Sequence, residues 1–203
     1  MARLAPIAQG WVPLSWIAAA GRARMPPRKN YKMPGGMIAP MIKGLHHNAY
    51  RCRDSEETRA FYEDFLGLPL AKTLEIGTTK TGRSTRALHT FYRLGDGSYL
   101  AFFEVPDQAF EFRPQHDFDL HIALEVTPVV QQEMLAKGKA AGIETRGVAE
   151  HDFIRSIYFR DPNGYVIELT AKAAGHDAMM DPTQNGARAA LDAWQAAKTA
   201  VAK

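Results

Sequence analysis

The sequence predicts an α+β protein of two repeated βαβββ modules, which form a curled mixed sheet around a shared cleft. His47 and His121 each begin a segment of the pattern His-x-Ala-apolar-x-apolar, the alternation of a half-buried strand. Each segment leads into an amphipathic helix that ends at a glycine, Gly67 in the first module and Gly142 in the second. The two histidines are 74 residues apart and the two glycines 75, and this near-constant offset indicates an internal repeat.

The first 40 residues differ from the rest of the chain in charge and in proline content. They hold six Lys or Arg and no Asp or Glu, so the remaining 19 basic and 22 acidic residues give the body a net charge of −3. The sequence gives no sign of a basic face on the body that would favour nucleic acid. Prolines and glycines up to Pro40 place the domain boundary at residue 41. We interpret residues 1–40 as a basic disordered extension, a leader, or sequence upstream of a mis-assigned start codon.

The predicted domain spans residues 41–172, and its first module covers 41–112. Asp54 is predicted to cap the helix of this module, and Glu57, three residues later, completes a capping box. An Asp-Gly dipeptide at 96–97 predicts a tight hairpin between the last two strands.

The second predicted module covers residues 116–172 and repeats these signals. Thr127 is the predicted helix cap, and Val130 and Met134 recur at helical spacing on the face expected to be buried. An Asn-Gly dipeptide at 163–164 predicts the matching hairpin.

Beyond the modules, residues 173–203 are predicted to form a helical appendage. Ala187, Ala190, Leu191 and Trp194 recur at helical spacing, which suits packing on the body or on a second subunit. The single cysteine, Cys52, excludes an internal disulfide and is expected to be a small buried hydrophobe. No apolar run approaches the ~20 residues that a membrane helix needs. A reducing, cytoplasmic location without membrane association is therefore expected.

The two halves resemble the vicinal oxygen chelate superfamily, which includes glyoxalase I, fosfomycin-resistance transferases, methylmalonyl-CoA epimerase and the extradiol ring-cleaving dioxygenases. The resemblance covers roughly residues 42–172. It rests on the segments His47 through Asp54, Phe61-Tyr62 with Leu66-Gly67-Leu68, His121 through Val126, and Asp161-Pro162-Asn163-Gly164 followed by Ile167-Glu168-Leu169.

The resemblance implies a metal site formed by His47, His121 and Glu168. In that family the first and last strands of the modules supply the ligands. The residue types agree, because two imidazoles and one carboxylate bind a divalent metal on one face and leave positions open for a bidentate substrate and a small molecule. The cleft is therefore expected to be a metal cleft. His46 is expected to face away from His47.

A fourth ligand is the first question that the resemblance raises. Glyoxalase I has a glutamate in the last strand of its first module, and Glu104 is the candidate by inspection. The internal repeat argues against it. Aligning Gly97 with Gly164 puts Ala101 opposite Glu168, and aligning the following tyrosines puts Phe102 there. The fourth corner is therefore predicted to be apolar, with Glu104 at the strand end.

A three-ligand site favours the extradiol dioxygenases within the family. These enzymes resemble the chain in a tyrosine ten residues before the glutamate ligand, which is Tyr158 here, and in a histidine upstream of it, which is His151. The resemblance implies Fe(II), which would chelate a catecholic substrate and dioxygen; Ni(II), Zn(II) and Mn(II) are the alternative metals. His151 would be an acid/base residue, and Tyr158 would orient the substrate oxygen.

One further histidine of the extradiol pattern is missing from the sequence. The family places it about fifteen residues before the second histidine ligand, and position 106 is proline here. His116 and His89 are the candidates to replace it from nearby segments.

Two other functions stay open at the level of sequence. Arg51, four residues after His47, is a candidate substrate-binding cation, and glyoxalase I has an arginine at this step. The runner-up is therefore a glyoxalase-like lyase or isomerase acting on a glutathione or other acidic adduct. A drug-sequestering binding protein is the third reading. A small-molecule substrate and a homodimer are expected in the enzyme readings.

Overall fold

A computed structural model describes residues 42–78, 81–116 and 118–201 of the chain. The chain divides into two units, Met1–Lys43 and Gly44–Lys203, and all the described strands and helices lie in the second. The predicted extension, residues 1–40, lies outside the described residues.

The first module has the predicted order of one strand, one helix and three strands. Its strands form a four-stranded sheet in the order β1-β4-β3-β2, in which the β1–β4 pair is parallel and the others antiparallel. The elements are β1 (Tyr50–Arg51), α1 (Ser55–Arg59) with a π-helical continuation (Ala60–Phe65), β2 (Leu70–Thr78), β3 (Ser84–Arg93) and β4 (Tyr99–Glu104).

The second module repeats this topology, with the sheet order β5-β8-β7-β6 and a parallel β5–β8 pair. Its elements are β5 (Ile122–Glu125), α2 (Pro128–Ala140), β6 (Thr145–His151), β7 (Ile154–Arg160) and β8 (Val166–Lys172). The predicted α+β fold of two βαβββ modules is thus confirmed. Within the described ranges the strands of the two modules form two separate sheets.

The helix ends follow the predicted capping with one difference. The side chain of Asp54 accepts a hydrogen bond from the backbone N–H of Glu57 at 2.8 Å, and Thr127 accepts one from Val130 at 3.3 Å. The carboxylate of Glu57 accepts hydrogen bonds from the Arg53 side chain instead of completing a capping box.

The buried face of α2 differs from the prediction. Val130 is 39% exposed, whereas Gln131, Met134 and Gly138 are buried. The amide of Gln131 donates to the backbone carbonyls of Arg155 and Leu169 at 2.6 and 2.9 Å, so it reaches both β7 and β8. These bonds offset the cost of burying a polar side chain.

A buried polar network joins the two modules. The hydroxyl of Tyr62, fully buried on the first helix, donates to Asp161 Oδ2 at 3.0 Å in the β7–β8 hairpin. The amide of Asn163 donates to the hydroxyl of Thr58 at 3.2 Å, and its oxygen accepts from the backbone N–H of Arg53 at 2.8 Å. The Asp-Pro-Asn-Gly segment therefore fixes the second sheet against the helix of the first module.

Two helices follow the second module. They are α3 (His176–Met180) and α4 (Ala187–Val201), the latter within the segment where the sequence predicts a helix. Leu191 and Trp194 of α4 are 50% and 63% exposed. None of the described helices is long and apolar enough to cross a membrane.

Candidate metal centre

Glu168 is the buried acidic group at the centre of the second sheet. It lies in β8, where it pairs with Ala123 of β5 on one side and Tyr158 of β7 on the other. The residue is only 5% exposed. Its Oε1 accepts a hydrogen bond from the hydroxyl of Thr170 at 3.1 Å, and the hydroxyl of Tyr158 lies 3.5 Å away. Burying a carboxylate costs free energy unless it has hydrogen-bond partners, and these hydroxyl groups reduce that cost.

His121 reaches the same carboxylate from the first strand of the module. It directly precedes β5, and its Nε2 lies 3.3 Å from Oε2 of Glu168. The His121 side chain is 41% exposed, so the pair opens to solvent on the histidine side. The structure therefore brings together two of the three predicted ligands.

Tyr158 and His151, which the resemblance to extradiol dioxygenases singles out, adjoin this pair. His151 Nε2 lies 3.0 Å from the hydroxyl oxygen of Tyr158. Burial raises the pKa of Tyr158, and the negative charge of Glu168 raises it further. A tyrosine hydroxyl is protonated at neutral pH even without such a shift, so Tyr158 can donate a hydrogen bond.

These groups line one open cavity of about 490 Å³ on the second module. A mixed wall of this kind, mostly apolar with a few converging polar groups, is typical of a small-molecule site. The lining residues beside the four already described are Phe118, Phe153 and Ile154 on the apolar side and His116 and Arg146 on the polar side.

His47, the third predicted ligand, lies in the first module. It forms an isolated parallel bridge with Tyr99, and its ring centroid is 5.4 Å from that of Phe91 and 6.0 Å from that of His89. Among the described residues, no three His, Cys, Asp or Glu side chains lie close enough to share a metal ion. Within one chain, His47 therefore does not complete the site of His121 and Glu168.

The first module has no glutamate at the position that Glu168 has in the second. In β3 and β4, Phe91 pairs with Ala101, as Tyr158 pairs with Glu168 in β7 and β8. This is the register that the glycine alignment predicts. Glu104 ends β4 and accepts a hydrogen bond from the backbone N–H of Ser55 at 2.8 Å, at the start of α1.

Arg51 contributes to a different cavity. Its guanidinium donates to the backbone carbonyl of Gln108 at 3.0 Å and to the side-chain oxygen of the same residue at 3.4 Å. The cavity that it lines has a volume of about 350 Å³, and Phe112 and Tyr165 belong to its wall. The prediction that Arg51 shares a cleft with the ligands is not met within one chain.

Other site residues were missed or misjudged from sequence. Thr170 could have been found, because it lies two residues after Glu168 on the same face of the strand. No sequence pattern indicated that Arg146 lies at the site, yet its guanidinium carbon is 5.3 Å from the ring centroid of Tyr158. His46 was expected to face away from His47, yet their rings adjoin, because regular strand pairing begins only at Tyr50.

The two modules and the cluster of imidazoles and carboxylate define a protein of the vicinal oxygen chelate class. The sequence profile of the Glyoxalase/Bleomycin resistance protein/Dioxygenase superfamily matches residues 44–169, which is more than half of the chain. The chain belongs to this superfamily. No protein of curated function matches it significantly.

Solved structures show the same fold. A glyoxylase/bleomycin resistance protein/dioxygenase domain from Frankia sp. EAN1pec is 18% identical, with a TM-score of 0.52, over 65% of this chain and 99% of that chain. The fosfomycin resistance protein FosX from Listeria monocytogenes is 23% identical, with a TM-score of 0.51, over 67% of this chain and 98% of its own. A variant of FosX from the same organism, solved with Mn(II) and 1S,2S-dihydroxypropylphosphonic acid, is 23% identical, with a TM-score of 0.50, over 68% of this chain and 99% of its own. At these identities the likeness concerns the fold alone.

Proposed function

We propose that the chain is a metal-dependent enzyme that binds a catechol-like substrate, with His47, His121 and Glu168 as metal ligands and an extradiol-type dioxygenase reaction. The observation that carries the proposal is the gathering of His121, Glu168, Tyr158 and His151 in one cavity. Fe(II) bound by two imidazoles and a carboxylate supplies adjacent open positions for two substrate oxygens and for dioxygen.

The donor set on the second module fits a divalent metal. Glu168 is a buried carboxylate whose Oε2 faces an imidazole nitrogen of His121 at 3.3 Å. Thr170 and Tyr158 approach its other oxygen, Oε1, so the two carboxylate oxygens have different partners. Outer hydrogen bonds of this kind hold metal-binding carboxylates in place.

We infer that the third ligand, His47, comes from a second copy of the chain. His47 is exposed, and no group of three ligands forms within the described part of one chain. In a two-fold symmetric dimer each copy can offer His47 to the other, which gives two equivalent sites. The homodimer is thus part of the proposal.

The roles of Tyr158 and His151 follow from their contact. The hydroxyl of Tyr158 donates a hydrogen bond to a substrate oxygen. His151, 3.0 Å from that hydroxyl, exchanges a proton with the substrate hydroxyl or with Tyr158. Phe118, Phe153 and Ile154 supply the apolar wall against which an aromatic ring packs.

The glyoxalase-like alternative receives less support. It depends on Arg51 as the cation for an acidic adduct, but that guanidinium donates to Gln108 and lines the other cavity. Arg146, in the cavity of Glu168, is the cation better placed for an acidic group on a substrate.

Metal analysis combined with a substrate screen tests the proposal. The purified chain is analysed for metal, reconstituted with Fe(II) without oxygen, and titrated with 4-nitrocatechol, whose visible absorption reports ionisation. Stoichiometric iron, an absorption change and oxygen uptake with simple catechols are expected. Zinc or nickel with hemithioacetal isomerisation would overturn the dioxygenase proposal, and tight ligand binding without any metal would indicate sequestration.

A further inference from the structure

His46 and His47 form a direct hydrogen bond between their side chains. The two Nδ1 atoms are 2.8 Å apart, and the rings meet edge to face with centroids 5.0 Å apart. Two imidazole nitrogens can bond only when one of them carries a proton and the other offers its lone pair. When both rings are neutral, the contact requires opposite tautomers on them.

Only one of the two tautomer pairs leaves Nε2 of His47 able to bind a metal. If His47 Nδ1 carries the proton, its Nε2 has a free lone pair. If His46 Nδ1 carries the proton, the hydrogen of His47 is on Nε2, and that nitrogen cannot act as a ligand. Histidines that bind metal commonly donate the other ring N–H to an acceptor, which fixes both tautomer and ring orientation.

We propose that His46 is a positioning residue that accepts the Nδ1 hydrogen of His47 and so holds His47 Nε2 ready for the metal. The inference rests on the proposed function, in which His47 is a ligand. It assigns to His46 a task that carboxylates and backbone carbonyls usually perform.

The surroundings hold His46 in the orientation that this task needs. Its backbone carbonyl accepts a hydrogen bond from the N–H of Tyr99 at 3.0 Å, and its ring centroid lies 5.9 Å from that of Tyr99. On the other side, Phe91 and His89 approach the ring of His47. His89 is itself fixed, because its Nδ1 bonds the carbonyl of Phe102 at 2.9 Å and its ring stacks on Phe103. Contacts with Tyr99, the first residue of β4, and with the side chains of Phe91 and His89 therefore restrain the two histidine rings.

Two variants separate the hydrogen bond from simple packing. His46→Phe keeps a flat ring but has no acceptor. His46→Asn restores an acceptor, since its Oδ1 can occupy nearly the position of His Nδ1. His176→Phe is the matched control, because His176 also bonds its sequence neighbour through Nδ1, at 2.8 Å to Asp177, and lies on α3 outside both modules.

The tautomer is read from long-range ¹H–¹⁵N spectra of the metal-free, ¹⁵N-histidine-labelled full chain. His47 is expected to be the Nδ1–H tautomer in the wild type, to change in His46→Phe and to recover in His46→Asn. Mn(II) affinity, measured by chelator competition, should fall by about 10- to 100-fold in His46→Phe and stay near wild type in the other two variants.

An unchanged His47 tautomer with unchanged Mn(II) affinity in His46→Phe would overturn the proposal, as would an Nε2–H tautomer of His47 in the wild type. If the wild type binds no divalent metal at all, the proposed function fails, and the role of His46 in metal binding fails with it. A contrary tautomer in a wild type that does bind Mn(II) overturns the role of His46 alone.

Discussion

Ala101 and Glu168 occupy the same position in the two sheets, one beside Phe91 and the other beside Tyr158. Ala101 is fully buried and has no atom that could bind a metal. The repeat therefore supplies a carboxylate from the second module only. In the first module, Glu104 is the nearest glutamate along the strand, and it is held by the backbone of Ser55.

Glu104 and Glu168 should consequently respond in opposite ways to substitution. We expect Glu168→Gln to lose most of the bound metal, because it removes a charged ligand. We expect Glu104→Ala to keep the metal and to lose about 0.5–2 kcal/mol of unfolding free energy, the usual cost of a lost helix cap. Metal analysis and urea unfolding of both variants measure the two effects. Loss of metal in Glu104→Ala would show that Glu104 is a fourth ligand.

The sharing of His47 between copies can be tested by subunit mixing. His47→Ala and His121→Ala are each expected to lose metal binding while the fold remains largely intact, as monitored by circular dichroism. Neither residue is in the buried core. If the site is shared, a mixed dimer of the two variants contains one site with all three ligands intact and one with neither histidine.

The mixed dimer should therefore regain half of the wild-type metal content. A site formed within one chain predicts no recovery, because each copy would lack one histidine. Differently tagged variants, unfolded and refolded together and then purified through both tags, provide the mixed species. Absence of recovery in a verified mixed dimer would contradict the shared site.

The repeat made the fold predictable, because each module carries the same three sequence patterns: a strand that begins at a histidine, a capped helix and a tight hairpin. The buried face of α2 was not predictable from apolar spacing. Gln131 can be buried because two carbonyls of the sheet accept hydrogen bonds from it. Gly138 packs so closely on Phe159 that an added Cβ would lie 2.4 Å from the ring. Both depend on contacts with strands distant in sequence.

The candidate site was predictable within a module and not between modules. Tyr158 and Glu168 are neighbours because their ten-residue spacing spans a hairpin, so local strand pairing brings them together. The relation of His47 to His121 depends on how the modules pack, and Tyr62 and Asp161 contribute to that packing through a buried hydrogen bond. No pattern along the chain encodes that distance.

Tyr158 and His151 are expected to act on the substrate and not on the metal. Tyr158→Phe removes the hydroxyl that contacts His151 and Glu168 but leaves both metal ligands of the second module. Turnover of the catechol identified in the screen should slow by about 10²–10⁴-fold, the range of general acid–base contributions, while metal content is unchanged.

A double-mutant cycle with His151→Phe distinguishes a working pair from two independent residues. If the hydroxyl and the imidazole act together, the double variant should be little slower than either single variant. Wild-type rates in Tyr158→Phe would make the tyrosine a structural residue.

Asp161 should give the protein a pH-dependent stability of unusual sign. The residue is 4% exposed, and burial raises the pKa of its carboxyl above the ordinary value of 3.8 although Asn163, Tyr165 and Tyr62 donate hydrogen bonds to it. The folded state therefore binds this proton more tightly than the unfolded chain does. The contribution of Asp161 to the free energy of unfolding is largest below pH 3.8 and decreases as the pH rises through the folded-state pKa.

Urea unfolding of the wild type and Asp161→Asn, from about pH 4 to about pH 7, measures this contribution. The difference in unfolding free energy, wild type minus variant, should decrease with rising pH across the lower part of that range. Asp96→Asn is the matched control. The hydroxyl and backbone N–H of Ser98 lower the pKa of Asp96, so its contribution to the unfolding free energy is lost only as the pH falls below 3.8. The difference between the wild type and Asp96→Asn should therefore stay constant from about pH 4 to about pH 7. Parallel curves for the wild type and Asp161→Asn would mean that the hydrogen bonds, and not burial, dominate at Asp161.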